Sequence, residues 1–216
     1  MNVDGIIFDI DGVLVDVSTS YREAIRLSAG DFLGREVEPS EVDEIKRIPG
    51  MNNDWDAAYA LSLGIKSAEE IERESEEYAR IKGRFQELYL GGLRDKERLL
   101  IREDTLRELK ARGIALGIVT GRPREEALYV LGNLVPEFFG RDCIIAMEDC
   151  EYEKPDARPL KLAIKRMGCK NPAYVGDTAS DAIAARSAGI PFVSVVGGLE
   201  ADIRINEVNE ILKVIE

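Results

Sequence analysis

Carboxylates dominate the residues that could carry out chemistry in this chain, because Asp and Glu number 41 and histidine is absent. Without histidine there is no Ser–His or Cys–His nucleophile pair, so proton transfer is left mainly to Asp and Glu. The residues of interest occur in four groups along the chain: Asp9 with Asp11, Thr120 with Gly121, Lys154, and Asp177 with Asp181. Nucleophilic attack and proton transfer by carboxylates beside a bound cation are the chemistry that this set could perform.

The four groups follow short apolar runs that are typical of buried strands. Strands are predicted at residues 3–8, 114–119, 143–147, 173–175 and 192–196. Helical patterns separate them at residues 105–112, 124–131, 159–167 and 179–188. This alternation of strand and helix predicts an α/β fold with a doubly wound parallel sheet.

In a parallel sheet of this kind, ligands bind outside the carboxyl ends of the strands, where all four groups would meet. Four carboxylates at one edge repel one another unless a cation holds them together. A hard divalent ion fits, and Mg2+ is best suited to carboxylates combined with a substrate phosphate. Taken singly, the signals have plain structural explanations, since Asp before Gly caps turns and Asp177 could cap a helix. Their joint order at successive strand ends favours a functional site.

Residues 18–93 interrupt the alternation, because they contain several helix signals and no convincing strand pattern. Helices are predicted at residues 21–29, 41–47 and 54–63, the last of them ended by Gly64. A capping box that begins at Ser67, followed by apolar residues at helical spacing, predicts one long helix up to residue 88. We therefore expect a helical subdomain at 18–93, inserted into a core domain formed by 1–17 and 94–216.

Composition sets limits on partners and location. The chain has 216 residues, with 29 Lys and Arg against 41 Asp and Glu, and this net charge of −12 would repel the backbone of a nucleic acid. No uncharged apolar run approaches the roughly 18 residues of a membrane span, so no membrane partner is expected. Cys143, Cys150 and Cys169 are odd in number and lack the spacing of a metal site. A cytoplasmic protein with reduced thiols is therefore predicted.

In order and spacing, the four groups resemble the sequence motifs of the haloacid dehalogenase-like hydrolases. Asp9-Ile10-Asp11-Gly12-Val13-Leu14 is similar to the first motif, Thr120 to the second, Lys154 to the third, and Gly176-Asp177-Thr178-Ala179-Ser180-Asp181 to the fourth. The resemblance covers almost the whole chain and implies a Rossmann-like core. The insertion resembles the small α-helical cap of the subgroup that contains phosphoglycolate phosphatase and β-phosphoglucomutase.

This resemblance implies a phosphatase that works through an aspartyl-phosphate intermediate. Asp9 would attack phosphorus, and Asp11 would protonate the leaving group and later take a proton from water. Lys154 would offset the negative charge shared by Asp9 and the transferred group, and Arg122 is a further candidate to assist. The second Asp of the first motif favours phosphoryl transfer over cleavage of carbon–halogen bonds.

The resemblance also implies a cofactor and the groups that bind it. Mg2+ would be held by four residues of the first and fourth motifs: Asp9, Asp11, Asp177 and Asp181. Asp11 would bind it through its main-chain carbonyl. Phosphate oxygens would be bound by the hydroxyl of Thr120, the N–H of Gly121 and the ammonium of Lys154. The substrate would be a small phosphorylated metabolite.

Four residues of the insertion are candidates for contact with the leaving group: Arg22, Asn52, Asn53 and Asp54. In similar enzymes a loop such as 50–56 reaches toward the leaving group, and Asp54 would then suit a phosphorylated amine better than a carboxylate. The structural alternatives are a helix cap at Asn53 or Asp54 and a solvent-facing Arg22.

Two other functions stay open on the sequence alone. A phosphomutase would use the same Asp9 and Asp11 but return the phosphoryl group to a sugar instead of water. A regulatory phospho-aspartate domain would also place acidic residues, a threonine and a lysine around Mg2+, although the length of the chain and its insertion argue against it. The sequence is compatible with a monomer or a homodimer.

Overall fold

The computed structural model describes residues 1–51 and 53–215. It divides the chain into two compact units, one formed by Met1–Asp16 with Arg98–Glu216 and one formed by Val17–Glu97. A two-stranded antiparallel pair, Val15–Asp16 with Arg98–Leu99, lies where the chain leaves the first unit and returns to it. The divisions expected from the sequence were 17/18 and 93/94, and the roles of core and cap for the two units stay predictions.

Eight strands are present within the described residues: β1 Gly5–Phe8, β2 Val15–Asp16, β3 Arg98–Leu99, β4 Ala115–Val119, β5 Ile144–Ile145, β6 Pro172–Gly176, β7 Phe192–Ser194 and β8 Ile203–Arg204. Six of them form a parallel sheet in the order β5-β4-β1-β6-β7-β8. In β1, Ile6 is aligned with Leu116 on one side and with Ala173 on the other. The predicted parallel α/β sheet is confirmed, and β8 is an additional edge strand that was not predicted.

Helices connect the strands: α1 Tyr21–Leu33, α2 Pro39–Lys46, α3 Asp54–Leu63, α4 Glu76–Leu88, α5 Glu103–Ala111, α6 Arg124–Leu131, α7 Leu134–Glu137, α8 Arg158–Met167, α9 Ala179–Ala188 and α10 Ile211–Val214. Three of them, α3, α6 and α9, have the predicted bounds. Gly64 ends α3 in the left-handed conformation, with φ 71°, which glycine adopts without steric cost. Among the helices in the described part of the chain, none is both long and apolar enough to cross a membrane.

The second unit has an aromatic core. This unit contains α1 to α4, and stacked aromatic rings join α1 to the end of α4. The ring centroid of Tyr21 lies 5.7 Å from that of Phe85 and 4.4 Å from that of Tyr89. Stacked aromatic pairs add to the free energy that apolar burial contributes. The helices of this unit therefore pack around a core of their own.

The single long helix predicted from Ser67 to residue 88 is wrong. Ser67 begins only a short 3-10 turn, and the first turn of α4 is capped by Ser75, whose Oγ accepts a backbone N–H at 3.1 Å. Between these two serines, Arg73 pairs with the buried carboxylate of Asp56 on α3 at 2.7 Å. A second N-cap and a tertiary ion pair therefore interrupt the helix that the apolar spacing indicated.

β1 lies in the interior of the first unit, since Ile6, Ile7 and Phe8 have no exposed surface. A parallel strand that is covered on both faces is typically apolar along its whole length. Polar residues are then tolerated where the strand ends, and Asp9 follows directly. The fold therefore places polar residues of the motifs at the carboxyl edge of the sheet.

Candidate active site

Three carboxylates come together at the carboxyl edge of the sheet. Asp9 follows β1, Asp177 follows β6, and Asp181 lies in the first turn of α9. One oxygen from each lies within 4.8 Å of the others. Asp9 is level with the end of β6, because its N–H donates to the carbonyl of Val175 at 2.9 Å. Residues far apart in the chain thus form one group, which we call the carboxylate cluster.

The loop after β1 approaches the loop after β6 closely at Gly12. A Cβ at this position would lie 2.2 Å from Oδ2 of Asp177, and Gly12 also has a φ of 73°. A side chain is unfavourable on both counts, because the contact would be far inside van der Waals distance and the conformation is left-handed. The glycine of the first motif thus allows Asp9 and Asp177 to share one cluster.

Lys154 brings a positive charge into contact with the cluster. Its buried Nζ donates to Oδ1 of Asp9 at 3.0 Å, to Oδ1 of Asp181 at 2.7 Å and to the hydroxyl of Tyr174 at 2.9 Å. Burial alone would lower the pKa of this ammonium, but the attraction of Asp181 and Asp9 outweighs burial and raises the pKa above its usual range. Lys154 therefore stays charged at physiological pH.

The carboxylate of Asp181 is held by donors on both oxygens. Oδ1 accepts from Lys154 and Tyr174, and Oδ2 accepts the hydroxyl and the N–H of Thr178 at 2.7 and 3.0 Å. Burial raises the pKa of Asp181, but Lys154 and these hydrogen bonds outweigh burial and lower the pKa below its usual value. Asp181 is therefore ionised and fixed in its orientation.

The pKa of Asp9 is shifted in the opposite direction from that of Asp181. Burial raises the pKa of its carboxyl well above the usual range, and the nearby carboxylates add to this effect. Lys154 acts in the other direction by favouring the charged form. A buried carboxyl in this position gains nucleophilic character when further positive charge holds it ionised.

Tyr174 belongs to the site, although the sequence pattern was interpreted only as a strand at this position. Its side chain is fully buried, and its hydroxyl donates to Asp181 at 2.8 Å while accepting from Lys154. Burial and the nearby Asp181 raise the pKa of the hydroxyl well above its usual range, so it remains protonated. One signal could have found it, because a buried tyrosine usually needs a hydrogen-bond partner for its hydroxyl.

We expect Tyr174→Phe to lower the free energy of unfolding by about 1–3 kcal/mol, because Lys154 loses an acceptor and Asp181 a donor inside the protein. Urea unfolding of the wild type and the variant measures this loss. Tyr152→Phe, at a tyrosine that is 40% exposed, is the control and should change stability by less than about 0.5 kcal/mol. Equal stability of Tyr174→Phe and the wild type would show that the hydroxyl is dispensable.

The loop after β4 contains Thr120, Gly121 and Arg122. Oγ1 of Thr120 accepts the N–H of Arg122 at 3.2 Å. The buried guanidinium of Arg122 donates to Oδ1 of Asp11, through Nε at 2.8 Å and through Nη2 at 2.6 Å. The side chain of Asp11 is thus held by Arg122 and is not a member of the carboxylate cluster. From the sequence, Arg122 had been only an additional candidate, and its contact with Asp11 was missed.

The carboxylate cluster fits a hard divalent cation. Its donors are oxygens, which Mg2+ prefers, and they lie close enough together to share one ion. Lys154 and Arg122 contribute two positive charges, against the four carboxyl groups of the cluster and Asp11. Carboxylates this close to one another are unfavourable unless a cation compensates them. The donor set is therefore suited to magnesium.

Three of the four candidate residues of the insertion have partners within the second unit. Arg22 pairs with an aspartate of α2, and Lys46 donates to Oδ1 of Asp54 at 2.9 Å. Asn53 caps α3, because its Oδ1 accepts backbone N–H groups of the first turn. Asn52 lies outside the described residues. Substrate contacts of these four residues stay a prediction.

Known proteins resemble this chain in sequence over most of its length. A family model described as haloacid dehalogenase-like hydrolase matches residues 3–189. A phosphoglycolate phosphatase from Salmonella typhi is 28% identical over 91% of this chain and 82% of its own length. An imidazoleglycerol-phosphate dehydratase from Phytophthora nicotianae is 36% identical over 87% of this chain. The chain spans only 42% of the length of that dehydratase, so the activity named for the longer protein carries no argument here.

A solved structure has the same fold over nearly the whole chain. Phosphatase Tt82 from Thermococcus thioreducens superposes with a TM-score of 0.64 and is 31% identical. The match covers 96% of this chain and 97% of that one. All motif residues from Asp9 to Asp181 lie inside the region that the family model matches. The candidate active site therefore lies within the part of the chain that the family model matches.

Proposed function

The chain belongs to the haloacid dehalogenase-like hydrolases, and from this we propose that it hydrolyses a small phosphomonoester through a phosphorylated Asp9. It is an enzyme of the hydrolase class, and its relatives support a phosphatase. The observation that carries the proposal is the contact between Lys154 Nζ and Asp9 at 3.0 Å, beside a cluster of oxygen donors. Lys154 therefore places positive charge beside the buried carboxylate of Asp9, where a transferred phosphoryl group would bring negative charge.

Asp9 is the nucleophile of the proposed reaction. One of its carboxylate oxygens forms a bond to phosphorus while the bond between phosphorus and the leaving oxygen breaks. Lys154 offsets the negative charge that Asp9 and the phosphoryl group share in this step. The product is a mixed anhydride between Asp9 and phosphate.

Asp11 is the acid and the base. In the first step its carboxyl gives a proton to the leaving alkoxide, and in the second step it takes a proton from the water that attacks phosphorus. The second step releases inorganic phosphate and restores the carboxylate of Asp9. Asp11 is suited to exchange protons with water, because 26% of its side chain is exposed.

Thr120 and Gly121 bind phosphate oxygens in the proposed complex. Because Oγ1 of Thr120 accepts the N–H of Arg122, its own proton can be donated to an anion. No heavy atom of the described residues lies within 4 Å of the position that a Cβ would take at Gly121, apart from its chain neighbours. This space lets a phosphate oxygen approach the backbone at Gly121, where a main-chain N–H is a suitable donor.

Mg2+ is the cofactor in this proposal. Carboxylate oxygens of Asp9 and Asp177 and the main-chain carbonyl of Asp11 would hold it, with Asp181 contributing directly or through water. When bound, Mg2+ supplies positive charge that offsets the phosphate and favours the ionised form of Asp9. The excess of carboxylates over cations in the site supports this role.

We expect Mg2+ to stabilise the wild type against heat and to lose most of this effect in Asp177→Asn. At one hundred times its dissociation constant, an ion that binds only the folded state adds about 2.7 kcal/mol of stability. For a chain of this length, that gain corresponds to a rise of about 5–10 °C in Tm. Thermal unfolding with Mg2+ and with a chelator measures the shift, and Asp104→Asn, at an exposed side chain, should keep it. An equal shift in Asp177→Asn, or none in the wild type, would contradict the assignment.

The proposed substrate is a small phosphorylated metabolite, and phosphoglycolate is the first compound to test because the Salmonella relative is a phosphoglycolate phosphatase. A phosphorylated amine also belongs in the panel, although Lys46 pairs with Asp54 and weakens the reason for preferring a cationic leaving group. We place the reaction in the cytoplasm, which the three free cysteines support.

Phosphate release from a panel of esters tests this function. The panel contains phosphoglycolate, a phosphorylated amino alcohol and para-nitrophenyl phosphate, each assayed with Mg2+ and with a chelator. We expect release that depends on the metal. If a sugar bisphosphate instead primed isomerisation of a sugar phosphate without net release, the protein would be a phosphomutase. A stable phosphoprotein without turnover would make it a regulatory domain.

A further inference from the structure

The side chain of Arg122 has no role in the mechanism above, yet it lies against the proposed acid and base. It is among the largest fully buried side chains of the described residues, with 1% of its surface exposed. We propose that Arg122 is a positioning residue that fixes the carboxyl of Asp11 in the orientation from which it transfers protons. This inference rests on the proposed function, because it deepens the role given there to Asp11.

The backbone of Arg122 is fixed by hydrogen bonds at both its N–H and its carbonyl. Its N–H donates to Oγ1 of Thr120 at 3.2 Å, and its carbonyl accepts the N–H of Met147 at 3.0 Å. From this fixed point the guanidinium reaches Asp11 with two donors, Nε at 2.8 Å and Nη2 at 2.6 Å. Both charge-assisted hydrogen bonds end on Oδ1, so two donors of one planar group hold this oxygen more firmly in place than one contact would.

Direct binding of phosphate by Arg122 fits the structure less well. The exposed member of the pair is the carboxylate, since 26% of the Asp11 side chain is accessible against 1% of the Arg122 side chain. A ligand that enters from solvent therefore meets Asp11 before it meets the guanidinium. Arg122 is therefore buried more deeply than Asp11 and holds the Asp11 carboxylate in place.

The chemistry of the leaving group separates positioning from phosphate binding. An alkyl phosphate releases a strongly basic alkoxide and needs a proton from Asp11 as the bond breaks, whereas nitrophenolate is stable as an anion and needs none. A misplaced Asp11 should therefore slow the first step mainly for alkyl esters. Loss of a phosphate contact should slow both esters equally, because the phosphoryl group is the same in both.

The test compares kcat/KM of the wild type, Arg122→Lys and Asp11→Asn for an alkyl phosphate and for para-nitrophenyl phosphate. This parameter reports the reaction up to formation of the phosphoenzyme. Lysine keeps the positive charge but cannot reproduce the two-donor fork of arginine. We expect Arg122→Lys to lose about 100-fold on the alkyl ester and less than about 10-fold on the nitrophenyl ester. In the Asp11→Asn background the same substitution should add little.

Arg124→Lys is the matched control, because Arg124 is partly exposed and pairs with Asp149 instead of a motif residue. It should leave both values unchanged. If circular dichroism shows that Arg122→Lys is unfolded, Arg122→Gln carries the same comparison.

Two results would overturn the inference alone while the wild type is active. One is an equal loss on both esters, and the other is weaker inhibition by inorganic phosphate in the Arg122 variants, which would make Arg122 a phosphate ligand. Failure of the wild type to release phosphate from either ester would overturn the proposed function and this inference together.

Discussion

Asp9→Asn should lower the rate of phosphate release by about 10,000-fold or more, the largest effect on activity that we expect from any single substitution. An amide oxygen is a far weaker nucleophile than a carboxylate and does not form the acyl phosphate that water then hydrolyses. Asparagine keeps nearly the size and shape of aspartate, so the buried position after β1 remains filled. The measurement is the rate of phosphate release at saturating Mg2+, with the best ester of the panel.

Asp104→Asn is the control for this experiment. It makes the same chemical change in the same unit at a side chain that is 95% exposed. This variant should keep the wild-type rate, because no group of the candidate site is altered. Comparable rates in Asp9→Asn and Asp104→Asn would rule out Asp9 as the nucleophile.

Lys154→Met should be the most destabilising of these substitutions, lowering the free energy of unfolding by about 3–5 kcal/mol at neutral pH. Methionine fills similar space but leaves Asp9 and Asp181 as buried carboxylates without the ammonium that contacts both. Urea unfolding of the metal-free protein measures the loss, so that Mg2+ does not replace the missing charge. Lys161→Met, at an exposed lysine of α8, should change stability by less than about 0.5 kcal/mol.

The loss in Lys154→Met should grow as the pH rises. Burial raises the pKa of Asp9, and removing Lys154 takes away the charge that opposes this shift. A group whose pKa is raised on folding contributes stability at low pH, and this contribution is lost as the pH rises through the folded value. The variant should therefore be closer in stability to the wild type at about pH 5 than at about pH 8. A loss of the same size at both pH values would contradict the proposed dependence of Asp9 on Lys154.

The strand ends that carry the motif residues could be predicted because the signals are local. Residues 6–8 form an apolar run that must be buried, and Asp9 then falls at the edge of the sheet. The bounds of α6 and α9 were predictable for the same reason, since a proline and a capping threonine precede them, Pro123 and Thr178. Each of these features is specified within a few residues of the chain.

The side-chain contacts of the site could not be predicted, because they join residues that are distant in the sequence. Arg122 and Asp11 are 111 positions apart, and Lys154 is 27 positions from Asp181. The partners of Tyr174 depend on how β6 pairs with β1, which a strand pattern does not specify. Such contacts follow from the whole fold and not from local propensity.

Side-chain contacts within the insertion could not be predicted either, although their partners are closer together in the sequence. Asp54 suggested a cationic leaving group from its residue type alone, but Lys46, at the end of α2, already contacts it. The start of α4 depended on which of two serines would cap it, and Ser75 does so. When local signals compete, tertiary contacts such as the pair of Arg73 with Asp56 contribute to the outcome.

The central claim, a phosphorylated Asp9, is tested most directly by trapping the acyl phosphate. In Asp11→Asn, para-nitrophenyl phosphate should still phosphorylate Asp9 because its leaving group needs no proton, while hydrolysis lacks its base. Acid quenching preserves the anhydride, and borohydride reduces it to homoserine, which mass spectrometry can locate in the tryptic peptide that ends at Arg22.

The expected result is homoserine at position 9 in Asp11→Asn and its absence when Asp9→Asn is added. Release of nitrophenolate by Asp11→Asn without any modified residue would indicate direct attack by water on phosphorus. Modification of a different carboxylate would assign the nucleophile elsewhere, and either of these two results would contradict the proposed mechanism.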